Sequence, residues 1–355
     1  MPPARTGVAD YSASMAAGLR RAGHQVNLNS PGDVDLYHVG NNPLHRPIYE
    51  RALARPGVVL IHDAVLHHFH LGFDDEARYV EEFVYNYGEW HRGVAGQLWR
   101  GRARSASEPA YFAYPMLRRI CENARLVIVH NPAAADLVRR HAPAARIEEL
   151  PHLIDPPPAA DPHAVVGLRA EWAIPAGGAV FGIFGHLRES KRLHSALAAL
   201  DRVPQAHLLV AGEFVSSDFA RTMEPLLAAH GRVIRVGYLA ESDFWRHAHA
   251  VDACVNLRYP AAGETSGIAI RLMSAGKPVL LSAGREAAAI PAGACLQVDT
   301  GVGEEEMLSA YMHWLAGSPA AARQIGEAAR RHVRSEHAAD RVVSRLVSLL
   351  AAAQG

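Results

Sequence analysis

The chain has 355 residues, enough for about two domains of the usual size. Its 36 basic and 36 acidic residues balance, so the composition lacks the net positive charge typical of nucleic-acid-binding proteins. The three cysteines have no Cys-x-x-Cys spacing, which argues against a disulfide framework or a structural zinc site and fits a reducing cytoplasm. The first residues do not resemble a signal peptide, and no apolar run reaches the roughly 20 residues that a membrane span needs. We therefore expect a cytoplasmic protein.

The first half of the chain alternates helical and strand patterns. Apolar residues recur at helical spacing from Gly7 to about Ala22. The runs QVNLN, LYHVG, VVLIH and LVIVH predict strands, and the longest helical stretch between them covers residues 79–98. Before the first helix stands MPPART, which is too short and too proline-rich for the central strand that normally opens such a domain. We expect either that the given sequence starts after this strand or that the sheet lacks it. A longer version of the chain should be more stable, because the added strand would pair backbone groups that are otherwise unpaired.

A proline-rich run, IDPPPAADP at Ile154–Pro162, predicts a linker, because proline is excluded from helix interiors and inner strands. The second half then alternates again, with AVFGIFG, HLLVAGE, RVIRVG, ACVNLR and PVLLS as strands. Strands that alternate with helices form parallel sheets covered on both faces. We predict an α/β protein with two doubly wound domains, residues 1–155 and 163–337, and a last helix within 338–355 that packs back toward the first domain.

Polar residues follow the predicted strands in both halves of the chain. In open parallel sheets, ligands bind beyond the carboxyl ends of the strands, so these residues should line one cleft shared by the two domains. They are His62 and Asp63, His130 and Asn131, the group of His186, Arg188 and Lys191, then Glu213, and finally Arg258 with the turn GETSG.

The turn GETSG runs directly into an apolar helix. The start of a helix carries unpaired N–H groups and partial positive charge, and Thr265 or Ser266 can cap it or bind an anion there. Glu264 does not suit a phosphate, but a carboxylate accepts hydrogen bonds from sugar hydroxyls. Lys191 and Arg188 can supply the positive charge for a diphosphate. This combination indicates a site for a nucleotide sugar.

Six motifs in order along the chain resemble those of glycosyltransferase family 4, whose members have the GT-B fold of two Rossmann-like domains facing each other across a cleft. Their order and spacing carry the resemblance over most of the chain, and AGKPV is the most specific part. The motifs are RTGVADYSASMAAGLRRAGHQV, VVLIHD, FGIFGHLRESKRL, HLLVAGE, RVIRVGYL and GETSGIAIRLMSAGKPVLLS.

The resemblance implies an enzyme that transfers a sugar from a nucleotide-diphosphate sugar to an acceptor hydroxyl, with retention at the anomeric carbon and without a cofactor or metal. It implies that His62, Glu264, Lys191 and Arg188 are the catalytic residues, and that Asp63, His130 and Asn131 lie on the acceptor side. The residues expected to bind the donor are Gly7, His186, Glu213, Tyr238, Leu239, Thr265, Ser266, Gly267 and Arg271. The expected acceptor is a saccharide or a lipid-linked saccharide, used in glycan, polysaccharide or glycolipid synthesis.

Three positions depart from the family pattern. Counting back from AGKPV, the second of the family's two glutamates, which typically holds the ribose, falls on Arg271. A guanidinium cannot accept a hydrogen bond, so the ribose contact must differ. The first glutamate falls on Gly263, so Glu264 stands one place late. His186 stands where the family commonly has arginine, and Arg188 can replace it.

Several other interpretations stay open at this point. The run HDAVLHHFH suggests a metal, but its histidines lack the i, i+4 spacing of helical ligands, and we interpret it as a loop on the acceptor side. WRGRARS, residues 99–105, could contact anionic lipid at the inner face of a membrane, although a solvated loop is the simpler interpretation. The rival functions are a GT-B epimerase, hydrolase or phosphorylase, and a catalytically degenerate homologue that binds a nucleotide sugar as a partner subunit.

Overall fold

A computed structural model describes residues 6–354, which form two compact α/β units. The first unit contains the described chain up to Asp155, the short segment Pro260–Thr265 and the chain from Glu336 onward. The second unit contains Pro156–Tyr259 and Ser266–Ser335. The assignment of Pro260–Thr265 to the first unit was not anticipated from the sequence.

The first unit is built on a parallel sheet in which four strands follow one another in chain order. The strands are β1 (Leu36–Val39), β2 (Val58–Ile61), β3 (Leu126–Val129) and β4 (Ile147–Glu149). The helices before the linker are α1 (Gly7–Arg21), α2 (Arg46–Ala54), α3 (His67–Phe73), α4 (Glu76–Tyr87), α5 (Arg92–Gly101), α6 (Ala110–Ala113), α7 (Arg118–Glu122) and α8 (Pro132–His141).

Helices cover both faces of this sheet. Every residue of β2 and β3 is buried, as expected for parallel strands with covered faces. Val59 and Val127 face a core that includes residues of α2, α3, α7 and α8. Leu60 and Ile128 face the opposite core, which contains residues of α1 and of the last helix of the chain.

The second unit contains a parallel sheet of six strands in the order β10-β9-β8-β5-β6-β7. Its strands are β5 (Ala179–Phe184), β6 (Ala206–Ala211), β7 (Val233–Val236), β8 (Ala253–Asn256), β9 (Val279–Ser282) and β10 (Leu296–Val298). Its helices are α9 (Pro162–Glu171), α10 (Leu193–Asp201), α11 (Ser217–Ala229), α12 (Glu241–Ala250), α13 (Gly267–Ser274), α14 (Glu304–Gly317) and α15 (Pro319–Glu336). The last helix, α16 (Ala339–Gln354), belongs to the first unit and packs on α1.

Most of the elements predicted from the sequence are present, but four predictions are wrong. QVNLN, residues 25–29, forms no strand, because it pairs with no strand among the described residues and ends at Asn29 with φ +61°. The predicted helix at 79–98 is two helices, because Gly88 adopts φ +87° and ends the first of them. The predicted loop at HDAVLHHFH contains the first four residues of α3. The predicted loop at WRGRARS contains the end of α5 and a 3₁₀ turn at Arg102–Arg104.

Other outcomes concern the linker, the chain start and membrane spans. Of the predicted linker Ile154–Pro162, residues 155–161 form neither helix nor strand, whereas Ile154 makes an isolated β-bridge and Pro162 begins α9. The role of this run as a linker stays a prediction. The interpretation of MPPART falls almost wholly outside the described residues. No helix within residues 6–354 combines the length and the apolar character that a bilayer crossing requires.

Candidate functional site

The carboxyl ends of β5 and β8 lie side by side in the second unit. These two strands are neighbours in the sheet, although three helices and two strands separate them along the chain. The order of the strands reverses between them, and open α/β sheets bind ligands beyond such a reversal. The loops that follow β5 and β8 are therefore the candidate site of this unit.

Lys191 lies in the loop after β5, in a 3₁₀ turn at Glu189–Lys191 that precedes α10. Its side chain is buried, and Nζ donates a hydrogen bond to the carbonyl oxygen of Phe184 at the end of β5. Burial, with the positive charges of Arg258 and Arg188 as lesser causes, lowers the pKa of Lys191 to about 7. A nearby anion would favour the charged ammonium, so this lysine is suited to bind one.

The beginning of α13 lies close to this ammonium group. A Cβ atom built on Gly185 would lie 3.6 Å from Lys191 Nζ and 3.5 Å from Cγ1 of Ile268, a residue in the first turn of α13. The lysine and the amino-terminal turn of α13 therefore meet over the backbone at the end of β5. This is the arrangement of a cation and a helix N-terminus that suits a phosphate group.

Ser266 caps α13 and connects it to the segment after β8. Its Oγ accepts hydrogen bonds from the backbone N–H of Ala269 at 3.3 Å and from Nδ2 of Asn256 at 2.9 Å. Nη2 of Arg258 lies 3.5 Å from the same Oγ. Arg258 therefore joins Lys191 and Ser266. The sequence placed Arg258 among the residues expected to line the cleft, but not among those expected to bind the donor.

The other predicted donor residues of this unit lie on its surface or beside α12. His186 and Arg188 are exposed after β5. Glu213, after β6, accepts a hydrogen bond from the backbone N–H of Tyr238 at 2.9 Å, and so joins the loops after β6 and β7. Tyr238 is 52% exposed and Leu239 is partly buried.

Arg271 packs on α12. Its guanidinium carbon lies 3.8 Å and 4.8 Å from the ring centroids of Phe244 and Trp245, and its Nη2 is 2.7 Å from Oε1 of Glu241. These contacts give the arginine a structural role between two helices. Its predicted place among the donor contacts stays a prediction.

A cluster of histidines surrounds Tyr11 in the first unit. Ring centroids of His62, His130 and His152 lie 5.1, 5.1 and 4.5 Å from that of Tyr11, and His38 lies 6.0 Å away. His38 is in β1, and the other three histidines follow β2, β3 and β4. We call these five side chains the histidine cluster. The sequence predicted His62 and His130 but not the rest.

Burial keeps His38, His62 and His130 of this cluster neutral. Nδ1 of His38 lies 3.0 Å from Nε2 of His62, and Nδ1 of His130 donates to the carbonyl oxygen of Leu150 at 2.9 Å. Burial lowers the pKa of His38 to about 3 and that of His130 to about 4. It also lowers the pKa of His62 well below its usual value, with the charge of His130 as the next cause.

The remaining predicted residues of the first unit lie at the starts of helices or in turns. Gly7 begins α1 after Thr6, whose Oγ1 accepts a hydrogen bond from the N–H of Ala9. Asp63 accepts from the N–H of Asn41 at 2.8 Å. No group of three or more histidine, cysteine, aspartate or glutamate side chains in the described part of the chain is placed to hold a metal ion.

Asn131 and the turn with Glu264 are also brought together in this unit. Asn131 is buried between β3 and α8, and its Nδ2 donates to the carbonyl oxygen of Gly263 and to Oγ1 of Thr265, both at 3.0 Å. Glu264 accepts from the N–H of Ala262 at 2.8 Å. Glu264 and Thr265 thus belong to the first unit, whereas Ser266 and Gly267 belong to the second.

The sequence matches no protein-family model and no curated protein. Solved structures are nevertheless similar over nearly the whole chain. Sucrose-phosphate synthase from Thermosynechococcus elongatus has a TM-score of 0.65 and 19% identity, covering 98% of this chain and 79% of its own. HepE from Anabaena, solved in complex with UDP-glucose, has a TM-score of 0.66 and 17% identity, covering 98% and 96%.

A third similar structure is WaaG, a glycosyltransferase involved in lipopolysaccharide biosynthesis, with a TM-score of 0.60 and 15% identity over 97% of this chain and 96% of its own. Like these three proteins, this chain contains two mostly parallel sheets with flanking helices. The fold of the chain is therefore GT-B, and the fold predicted from the motifs is confirmed.

Proposed function

We propose that this protein is a glycosyltransferase that moves a sugar from a nucleotide-diphosphate sugar to an acceptor hydroxyl. The observation that carries the proposal is the position of Lys191, a buried amine beside Arg258 and the start of α13, where the strand order reverses. The similar structures support it, since HepE was solved with UDP, with UDP-glucose, and with UDP and glucose.

Lys191, Arg258 and the first amides of α13 would act on the leaving diphosphate. When the bond between the anomeric carbon and the diphosphate oxygen breaks, both electrons stay with that oxygen and negative charge develops there. Fixed cations and backbone N–H groups that already point at this charge stabilise the transition state. The acceptor oxygen bonds to the anomeric carbon and loses its proton, so the products are a glycoside and a nucleoside diphosphate.

In this proposal the first unit supplies the groups that handle the sugar and the acceptor. His62 would contact the donor sugar near the reacting carbon, and Glu264 would accept hydrogen bonds from its hydroxyls. The motif resemblance supports membership of family 4, retention of configuration and independence of metals. The same resemblance supports a saccharide or lipid-linked saccharide as acceptor, and the scattered cysteines support a reaction in the reducing cytoplasm.

A binding and turnover screen tests the proposal. UDP, GDP, ADP and their glucose conjugates are each added to the protein, and its melting temperature is measured, because a ligand that binds the folded state raises that temperature. Release of nucleoside diphosphate from the stabilising conjugate is then followed with and without saccharide acceptors. We expect stabilisation by one nucleotide and release that rises with an acceptor. Binding without any release would favour the partner-subunit interpretation, and no binding would contradict both.

A further inference from the structure

The turn that carries Glu264 is closely packed against the first unit. Gly263 in this turn has φ +69°, which L side chains rarely adopt. A Cβ atom built there would lie 2.8 Å from Cβ of Ala64 and 2.9 Å from Cδ1 of Leu137. The turn therefore fits into a narrow space between the segment after β2 and helix α8, and small displacements would break contacts on both sides.

Asn131 holds this turn with a carboxamide whose orientation is unambiguous. Its Oδ1 accepts a hydrogen bond from the N–H of Ala134 at 2.8 Å, and a backbone N–H can only donate. Its Nδ2 must then be the group that faces the carbonyl oxygen of Gly263, which can only accept. The second proton of Nδ2 reaches Oγ1 of Thr265.

Both hydrogen bonds end on the immediate neighbours of Glu264. Gly263 precedes it and Thr265 follows it, so the backbone is held on either side of the carboxylate. Within the turn, the carboxylate also accepts from the N–H of Ala262. Asn131 itself is 5% exposed and is fixed by capping α8, so the anchor is rigid.

We propose that Asn131 is a positioning residue that sets the place of Glu264, rather than a contact for the acceptor as the sequence suggested. The proposal rests on the proposed function, because it assigns Glu264 to the donor sugar. Productive geometry must be held to within roughly 0.5 Å by supporting hydrogen bonds, and a displacement of about 1 Å can cost on the order of 100-fold in rate.

The substitution Asn131→Asp tests this role with little change of shape. It keeps Oδ1 as the cap of α8 but replaces the two N–H donors by an oxygen that faces the Gly263 carbonyl. The matched control is Asn123→Asp, because Nδ2 of Asn123 also donates to two carbonyl oxygens of the first unit, those of Ala52 and Leu53. Thr265→Val is a second variant that removes only one of the two hydrogen bonds.

Three measurements separate the outcomes. For Asn131→Asp we expect faster hydrogen exchange at residues 262–266, kcat lower by about 100-fold, and unchanged affinity for the nucleoside diphosphate, which binds in the second unit. Thr265→Val should show a smaller change in the same direction, and Asn123→Asp should show neither effect. Exchange and kcat equal to those of the control would overturn the positioning role. If the unmodified protein bound no nucleotide, the proposed function would fail, whereas the exchange data would still decide whether Asn131 holds the turn.

Discussion

Burial lowers the pKa of titratable groups in both units, but the consequences differ. In the second unit it lowers the pKa of Lys191 to about 7, so the amine can be charged when an anion approaches. In the first unit it lowers the pKa of His38 and His130 to about 3 and about 4, so these two histidines stay neutral and their rings serve as hydrogen-bonding groups. Under the proposed function, the same desolvation suits the second unit to a charged diphosphate and the first unit to uncharged hydroxyls.

Lowering the pH should have the largest effect, because it changes the charge of the histidines in the first unit. Histidines with lowered pKa values stay neutral in the folded state down to about pH 4, whereas in the unfolded chain they bind protons below about pH 6.5. Stability is therefore complete above about pH 6.5 and falls as the pH decreases, by roughly 1.4 kcal/mol per pH unit for each such histidine.

Urea unfolding between about pH 7 and about pH 5 measures this loss. With His38, His62 and His130 contributing, the free energy of unfolding should fall by several kcal/mol over this range. His130→Asn should make the dependence shallower, because one proton-binding group is removed. A free energy of unfolding that does not change with pH would contradict the neutral cluster.

The substitution Lys191→Met should produce the next largest effect. It removes the ammonium that is proposed to stabilise the leaving diphosphate, and the loss of one such group typically costs about 100- to 1,000-fold in kcat. Lys277→Met is the matched control. Lys277 is another lysine of the second unit whose pKa burial lowers, to about 8, but it donates to the carbonyl oxygens of His249 and Val251.

Steady-state kinetics and nucleotide titration compare these two variants. The Lys277 variant should lose stability while keeping nucleotide affinity, and the Lys191 variant should lose affinity and turnover. Equal nucleotide affinity in the Lys191 variant and the unmodified protein would remove Lys191 from the site.

Arg258→Gln should have a smaller effect. Arg258 adds charge beside Lys191 and lies near the cap of α13, and a hydrogen bond to a charged group is worth about 1.5–3 kcal/mol. We expect the dissociation constant of the nucleoside diphosphate to rise at least tenfold. Calorimetric titration of the variant and of the unmodified protein checks this. No change in affinity for the Arg258 variant would restrict the anion site to Lys191 and the helix.

The parts of the fold that the sequence predicted share a local signal. VVLI and LVIV are buried at every residue, so their apolar runs carry the pattern of inner parallel strands by themselves. QVNLN alternates polar and apolar residues as a half-buried strand does, but it has no neighbouring strand among the described residues. By contrast, β4 contains two glutamates yet becomes a strand by pairing with β3. In both cases, whether the segment forms a strand depends on pairing with another segment. A local sequence pattern does not predict that pairing.

The candidate site was also predicted only where the signal is local in the sequence. Lys191 and Ser266 were predicted because they follow strands whose carboxyl ends meet. His38 and His152 were missed, because only packing around Tyr11 connects them to His62. Arg271 was assigned from its place in a motif, whereas the rings of Phe244 and Trp245, which lie 26 to 27 positions earlier in the chain, determine where its side chain packs.

The central claim is that Lys191 binds the diphosphate as a cation. NMR titration of lysine labelled with ¹⁵N at Nζ, assigned with the Lys191→Met variant, measures the pKa of this amine with and without the nucleoside diphosphate that stabilises the protein. The account predicts a pKa near 7 in the free protein and a value well above it in the complex, because the anion favours the ammonium form. A pKa that is the same in both states would contradict the account.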